Sequence, residues 1–91
     1  MKTTITPTKH TKKGFDLWVV ALDVRVTKAR YLAILAVAKK LGGWYSSYKK
    51  EGAIPGFQFK DKESAEQFAR VMEGTPAKVE ITDDELLAVL A

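Results

Sequence analysis

Residues 56–72 read GFQFKDKESAEQFARVM, and this stretch decides the fold because a strand pattern changes into a helix pattern within it. Phe57 and Phe59 alternate with polar residues, as in a strand with one buried face. Asp61 stands where an N-cap is expected, and apolar residues then recur at helical spacing at Ala65, Phe68, Ala69 and Met72. Gly74, followed two residues later by a proline, ends this helix.

Upstream, residues 44–48 have strand composition, and residues 49–56 contain glycines and a proline, as a turn does. The two strands therefore form a predicted hairpin. Further upstream, the apolar run from Asp16 to Leu22 suits a well-buried strand. Thr27 is the predicted N-cap of a helix from Lys28 to Leu41, which Gly42 and the next glycine stop.

Downstream of the central helix, Ala77 to Ile81 alternates small or apolar residues with charged ones, which predicts a fourth strand. Thr82 and Glu85 then have the spacing of a capping box that opens a short final helix. The predicted order of elements is β-α-β-β-α-β with an added helix.

This order is the ferredoxin-like arrangement within the α+β class. It predicts a four-stranded antiparallel sheet with two helices on one face and the other face open to solvent or a ligand. Residues 1–15 are polar and rich in threonine and lysine, so we expect a flexible basic arm there. Residues 16–91 are expected to form a single α+β domain.

Composition favours a small cytoplasmic binding domain over an enzyme. The 91 residues include no cysteine, which excludes disulfides and thiolate metal sites. His10 is the only histidine and has no spaced partners for a metal site or a catalytic triad. No segment resembles a signal peptide or a membrane span. We therefore expect no cofactor, no metal, no membrane contact, and a monomer or weak dimer.

Charge is segregated along the chain, although the net charge is only +4. Eleven of the fifteen lysines and arginines fall before residue 51, whereas nine of the eleven acidic residues fall from residue 51 onward. Such segregation suits a surface that faces a polyanion. The two halves could equally interleave in space and neutralise each other, and the sequence leaves both arrangements open.

The basic and aromatic residues around the second strand form the candidate site. Alternation from Tyr45 through Ser47 to Lys49 predicts that these residues face solvent, with Trp44 and Tyr48 turned toward the helices. By the same alternation, Gln58 and Lys60 should be solvated and Phe57 and Phe59 buried. The candidate nucleic-acid-binding residues are Lys12, Lys13, Trp18, Tyr45, Lys49, Lys50 and Lys60. Trp18 could instead belong to the core.

Two resemblances accompany these patterns. Residues 56–66 resemble the third strand and second helix of an RNA recognition motif, and residues 17–22 resemble its first strand, with Trp18 at a stacking position. Ile54 and Gly56 stand where that family has the stacking aromatics of its third strand. Residues 42–47 with residues 56–60 are similar to a small domain of phage and plasmid polyproteins that also carry DNA methyltransferase and helicase domains. The first resemblance implies a fold, and the second implies DNA handling or defence evasion without catalytic residues.

Two functions follow as hypotheses. The first is a non-catalytic module that binds nucleic acid, more plausibly single-stranded DNA or RNA, by cations that follow phosphates and a ring that stacks a base. The second is a protein-interaction module of phage or mobile-element origin that docks on or inhibits a partner. A small-molecule site would require a pocket that the sequence does not reveal.

Overall fold

The computed structural model describes residues 2–10, 13–47, 55–74 and 82–90. Within these ranges the chain forms four strands and three helices, a fold of the α+β class. In chain order they are β1 (Thr3–Lys9), β2 (Asp16–Leu22), α1 (Lys28–Lys40), β3 (Trp44–Ser46), β4 (Gly56–Phe59), α2 (Lys62–Met72) and α3 (Asp83–Leu90). None of the helices in these ranges is long and apolar enough to cross a bilayer.

The four strands form one antiparallel sheet in the order β1-β2-β4-β3. Because β2 and β3 both pair antiparallel with β4, they run parallel to each other, and α1 connects them. The predicted α+β class and antiparallel sheet are confirmed. A ferredoxin-like sheet would have its last strand beside β2, but β1 holds that position here. The predicted fourth strand, Ala77 to Ile81, lies outside the described residues.

The N-terminal segment is part of the sheet, so the expectation of a flexible arm is wrong for Thr3–Lys9. β1 pairs along its whole length with β2, from Thr3 opposite Leu22 to Lys9 opposite Asp16. Its β-branched threonines favour extended backbone, and Pro7 is tolerated because β1 is the outermost of the described strands. Ile5 packs against the core, which anchors the strand.

All three helices lie on one face of the sheet, here called the helix face. Phe57 and Phe59 point to it from β4, and the ring centroid of Phe68 on α2 is 5.1 Å from each of theirs. Ile34 and Val37 bring α1 into the same core. Burial of each of these side chains stabilises the fold by roughly 1.5–3 kcal/mol. The predicted burial of Phe57 and Phe59 is therefore confirmed.

The opposite face, here called the second face, is not open along its centre. Cross-strand pairing puts Gln58 beside Val19 on this face, and Leu17 shares it by alternation along β2. Only 3% of Leu17, 1% of Val19 and 7% of Gln58 is exposed. The predictions of an open sheet face and of a solvated Gln58 are therefore wrong at this point.

Side-chain caps begin the helices as expected. The Asp61 carboxylate accepts a hydrogen bond from the Ser64 backbone N–H at 2.8 Å, which begins α2. The predicted capping box of α3 is confirmed, because Thr82 Oγ1 accepts from the Glu85 N–H and Glu85 accepts from the Thr82 N–H.

Helix α3 is tied to α1 near both of its ends. The Arg30 Nε atom donates to the Val89 carbonyl at 2.6 Å, and Lys40 Nζ lies 2.6 Å from the Glu85 carboxylate. Val89 itself is fully buried in the shared core. α3 therefore adds to the helical layer instead of contacting the sheet.

Candidate functional site

A cleft of about 700 Å³ opens at the end of the sheet where β2 leads into α1. We call it the tyrosine cleft. Val20, Leu22 and Phe57 from the sheet and Val26 from the loop before α1 give it apolar walls. Its volume lies in the range of small-molecule and cofactor sites, which typically combine apolar walls with a few polar groups. The remaining lining residues are Ala21, Val24, Arg25, Lys28, Tyr31, Tyr45, Ser47, Pro55 and Gly56.

Three aromatic rings are packed together in the cleft. Tyr45 on β3 meets Tyr31 on α1 edge-on at 5.4 Å between centroids and Phe57 at 5.1 Å. Such T-shaped contacts are favourable and hold a ring in one orientation. Tyr45 nevertheless remains 41% exposed, whereas Phe57 is buried. The cluster therefore presents one fixed, accessible ring to the cleft.

Two cations stand at the start of α1. Thr27 caps the helix by accepting the Arg30 backbone N–H at 3.2 Å, so that Lys28 is its first residue and Arg25 precedes the cap. Both side chains line the cleft and are exposed, and neither forms an ion pair with another described residue. The described residues that line the cleft include no aspartate or glutamate. The site is therefore an apolar and aromatic cleft with a positive rim.

Tyr45 belongs to this site, but on the opposite face of the sheet from the one predicted. It pairs with Phe57 and contacts α1, so it lies on the helix face, whereas Trp44 pairs with Gln58 and lies on the second face. The predicted faces of Trp44 and Tyr45 are therefore wrong, whereas the predicted exposure of Tyr45 to solvent is confirmed. Both neighbours are aromatic, so alternation alone does not decide between them, and the register with β4 does.

The other predicted residues are separated from the cleft. Trp18 lies half-buried on the helix face, where it pairs with Phe59 and packs against the core. Lys13 and Lys60 are exposed at the far end of β2, beside the β1–β2 turn. Lys12, Lys49 and Lys50 lie outside the described residues.

Arg25, Lys28 and Tyr31 were missed by the sequence reasoning. Tyr31 falls on the apolar period of α1, a pattern that predicts a core position, but it is only partly buried. One signal was available: the first turn of α1 contains no acidic residue, although acids are favoured there, and basic residues flank its cap. That departure from the usual charge pattern indicates a position that favours anions.

No family model, curated protein or solved structure matches this chain. The described residues also contain no group of three histidine or acidic side chains placed to hold a metal ion.

Proposed function

We propose that this chain is a non-catalytic module that binds single-stranded DNA or RNA in the tyrosine cleft. The observation that supports it is the exposed ring of Tyr45 in a cleft that Arg25 and Lys28 also line. A base that stacks on such a ring contributes about 1–3 kcal/mol, and the two cations can neutralise the flanking phosphates.

A single strand suits the cleft better than a duplex. The bases of a duplex are stacked on each other, so a protein ring reaches them only after they are unpaired. Unpaired bases expose both faces, and every base has a π-face, which makes such binding tolerant of sequence. Lys49 and Lys50 remain part of this proposal on sequence grounds, because they follow Ser47, which lines the cleft.

Fluorescence polarisation with labelled single-stranded DNA, single-stranded RNA and duplex DNA tests the proposal at low and near-physiological salt. We expect saturable binding of single strands, and a loss of about tenfold or more in Tyr45→Ala, in keeping with one lost stacking contact. Tyr45→Phe keeps the ring and should keep most of the affinity. Thermal unfolding of each variant separates loss of contact from loss of fold, because Tyr45 also packs on Phe57.

Charge variants complete the design. Arg25→Ala/Lys28→Ala should weaken binding and reduce the slope of log K against log salt by about 1.4, since each phosphate contact to a single strand contributes about 0.7. Lys39→Ala/Lys62→Ala removes the same charge from exposed helix positions outside the cleft and should leave the slope unchanged. Absence of binding at low salt, or equal losses in both pairs, would exclude the cleft as the site.

A protein partner is the second candidate, and exposed apolar side chains on the helical layer favour it. Leu87 on α3 is 68% exposed and Leu32 on α1 is 52% exposed. If this layer mediates weak self-association, the sedimentation coefficient should rise with protein concentration, and Leu32→Lys/Leu87→Lys should abolish the rise. A sedimentation coefficient that does not change with concentration would show that these leucines do not mediate self-association.

A further inference from the structure

A second basic and aromatic group lies at the end of the sheet opposite the tyrosine cleft. His10 and Phe15 stack at 4.8 Å between ring centroids, and Lys60 Nζ lies 5.1 Å from the Phe15 centroid. Lys13, in the β1–β2 turn, donates its backbone N–H to His10 Nδ1 at 3.0 Å. We call these four residues the hairpin cluster. It combines two exposed cations with two half-buried rings.

A row of threonines connects the two sites along β1. Thr4, Thr6 and Thr8 pair with Ala21, Val19 and Leu17 of β2, so all three lie on the second face. Ala21 is also a wall of the tyrosine cleft, and the row continues at its other end into His10 and Phe15. Thr4 is exposed and the other two are half-buried. Threonine hydroxyls are common donors to phosphate oxygens.

The described strands put no acidic side chain on the second face along this row, and Asp23, just past the end of β2, accepts the Lys2 backbone N–H at 3.1 Å. Alternation of side chains puts the one acidic residue of the described strands, Asp16, on the helix face with Lys9. Lys60, one residue past the end of β4, continues the alternation of Gln58 and therefore adds a cation to the second face. A polyanion that leaves the cleft along the row meets hydroxyl groups first and then the cations of the hairpin cluster.

We propose that the hairpin cluster is a second contact for the same strand, which runs from the tyrosine cleft along the threonine row. This inference rests on the proposed function. The seven residues of β2 span roughly 20 Å. At the spacing of about 3.4 Å per phosphate in a stacked strand, that distance corresponds to about six nucleotides. The preferred ligand is therefore a single strand of at least that length, in place of a mononucleotide or a short fragment.

Oligothymidylates of about four and about twelve nucleotides test the inference, because they do not form duplexes and only the longer one can reach both sites. The longer one can bind the cleft at more positions along its length, which alone raises its apparent affinity. We expect its affinity to exceed that statistical gain by at least tenfold. Lys13→Ala/Lys60→Ala should weaken the longer one about tenfold, reduce its salt slope by about 1.4, and leave the shorter one unchanged. Thr6→Val, which keeps the shape of the side chain, should weaken only the longer one.

The outcomes separate the two proposals. Arg25→Ala/Lys28→Ala should weaken both lengths, and Lys39→Ala/Lys62→Ala should affect neither beyond the general effect of lost charge. If both lengths bind but Lys13→Ala/Lys60→Ala matches that control, the second contact is wrong and the cleft stands. If neither length binds at low salt, the proposed function itself is wrong.

Discussion

Gly43 occupies a position where any side chain would collide with the core. A Cβ atom there would lie 2.7 Å from Cδ1 of Phe59 and 2.9 Å from the Gln58 carbonyl oxygen. Phe59 is fully buried, so its ring has no room to retreat. This close approach brings the end of α1 directly against β4.

We expect Gly43→Ala to destabilise the protein by about 2–3 kcal/mol through overpacking. Gly42→Ala is the matched control: Gly42 has φ +81° but open space around its Cβ position, so only a backbone cost of about 1 kcal/mol applies. Urea unfolding measures both. Equal losses in the two variants would show that the contact with Phe59 is not tight.

Asp61 couples the start of α2 to pH. The Ser64 hydroxyl and the Ser64 backbone N–H both donate to its carboxylate, which lowers the pKa of Asp61 below its ordinary value of 3.8. A group with a lowered pKa in the folded state stabilises the protein when ionised. Its contribution is complete above about pH 5 and is lost as the pH falls through the ordinary value to the lowered one.

Asp61→Asn should therefore reduce the acid sensitivity of the fold, because asparagine also caps helices but does not titrate in this range. We expect the free energy of unfolding to fall less in this variant than in the parent between about pH 6 and pH 2.5. Ser64→Ala, which removes the hydroxyl donor but keeps the backbone N–H, should give an intermediate loss. Identical pH profiles for Asp61→Asn and the parent would rule out this coupling.

At the scale of elements, α3 offers a test of how the helical layer is assembled. Val89 is fully buried against α1 and α2, whereas Leu87, two residues earlier, is 68% exposed. Val89→Ala should cost about 2 kcal/mol, because it leaves a cavity in the core. Leu87→Ala should change stability by no more than about 0.5 kcal/mol. Thermal unfolding compares them, and an equal effect would mean that α3 is not docked through Val89.

The elements with strong local signals were predictable from the sequence. The observed α1 and α2 begin at the predicted Thr27 and Asp61 caps, and Thr82 and Glu85 form the expected capping box. β1 was missed because its sequence, mostly threonine, lacks the alternation of apolar and polar residues that indicates a strand, and because Pro7 suggests a break. A strand that is stabilised mainly by its pairing with β2 has little signal of its own.

At the scale of the whole molecule, the tyrosine cleft could not be predicted because its residues come from three distant segments. Tyr45 was predicted as a site residue, but Arg25, Lys28 and Tyr31 join it only through the register of β3 with β4 and the contact with α1. The alternation of residues within one strand does not reveal how that strand is aligned with its neighbour.

The charges of the two halves of the chain are neither fully segregated nor fully interleaved, the two arrangements that the sequence left open. Lys40 from the basic half pairs with Glu85 from the acidic half, so the halves interleave in the helical layer. The described lining of the cleft and the described strands of the second face include no acidic residue, so basic side chains outnumber acidic ones there. Segregation therefore persists between surfaces of the molecule even where it is lost between helices.

The position of β1 beside β2 also bears on how the protein folds during synthesis. If the last strand of a sheet lies near the end of the chain, the sheet forms only after nearly the whole chain has been synthesised. Here all four described strands precede residue 60. The β1–β2 hairpin needs only a short loop, so it can form while the rest is still on the ribosome. The apolar side of the sheet would then be exposed until α2 emerges, and this interval is when the nascent chain is most prone to aggregate.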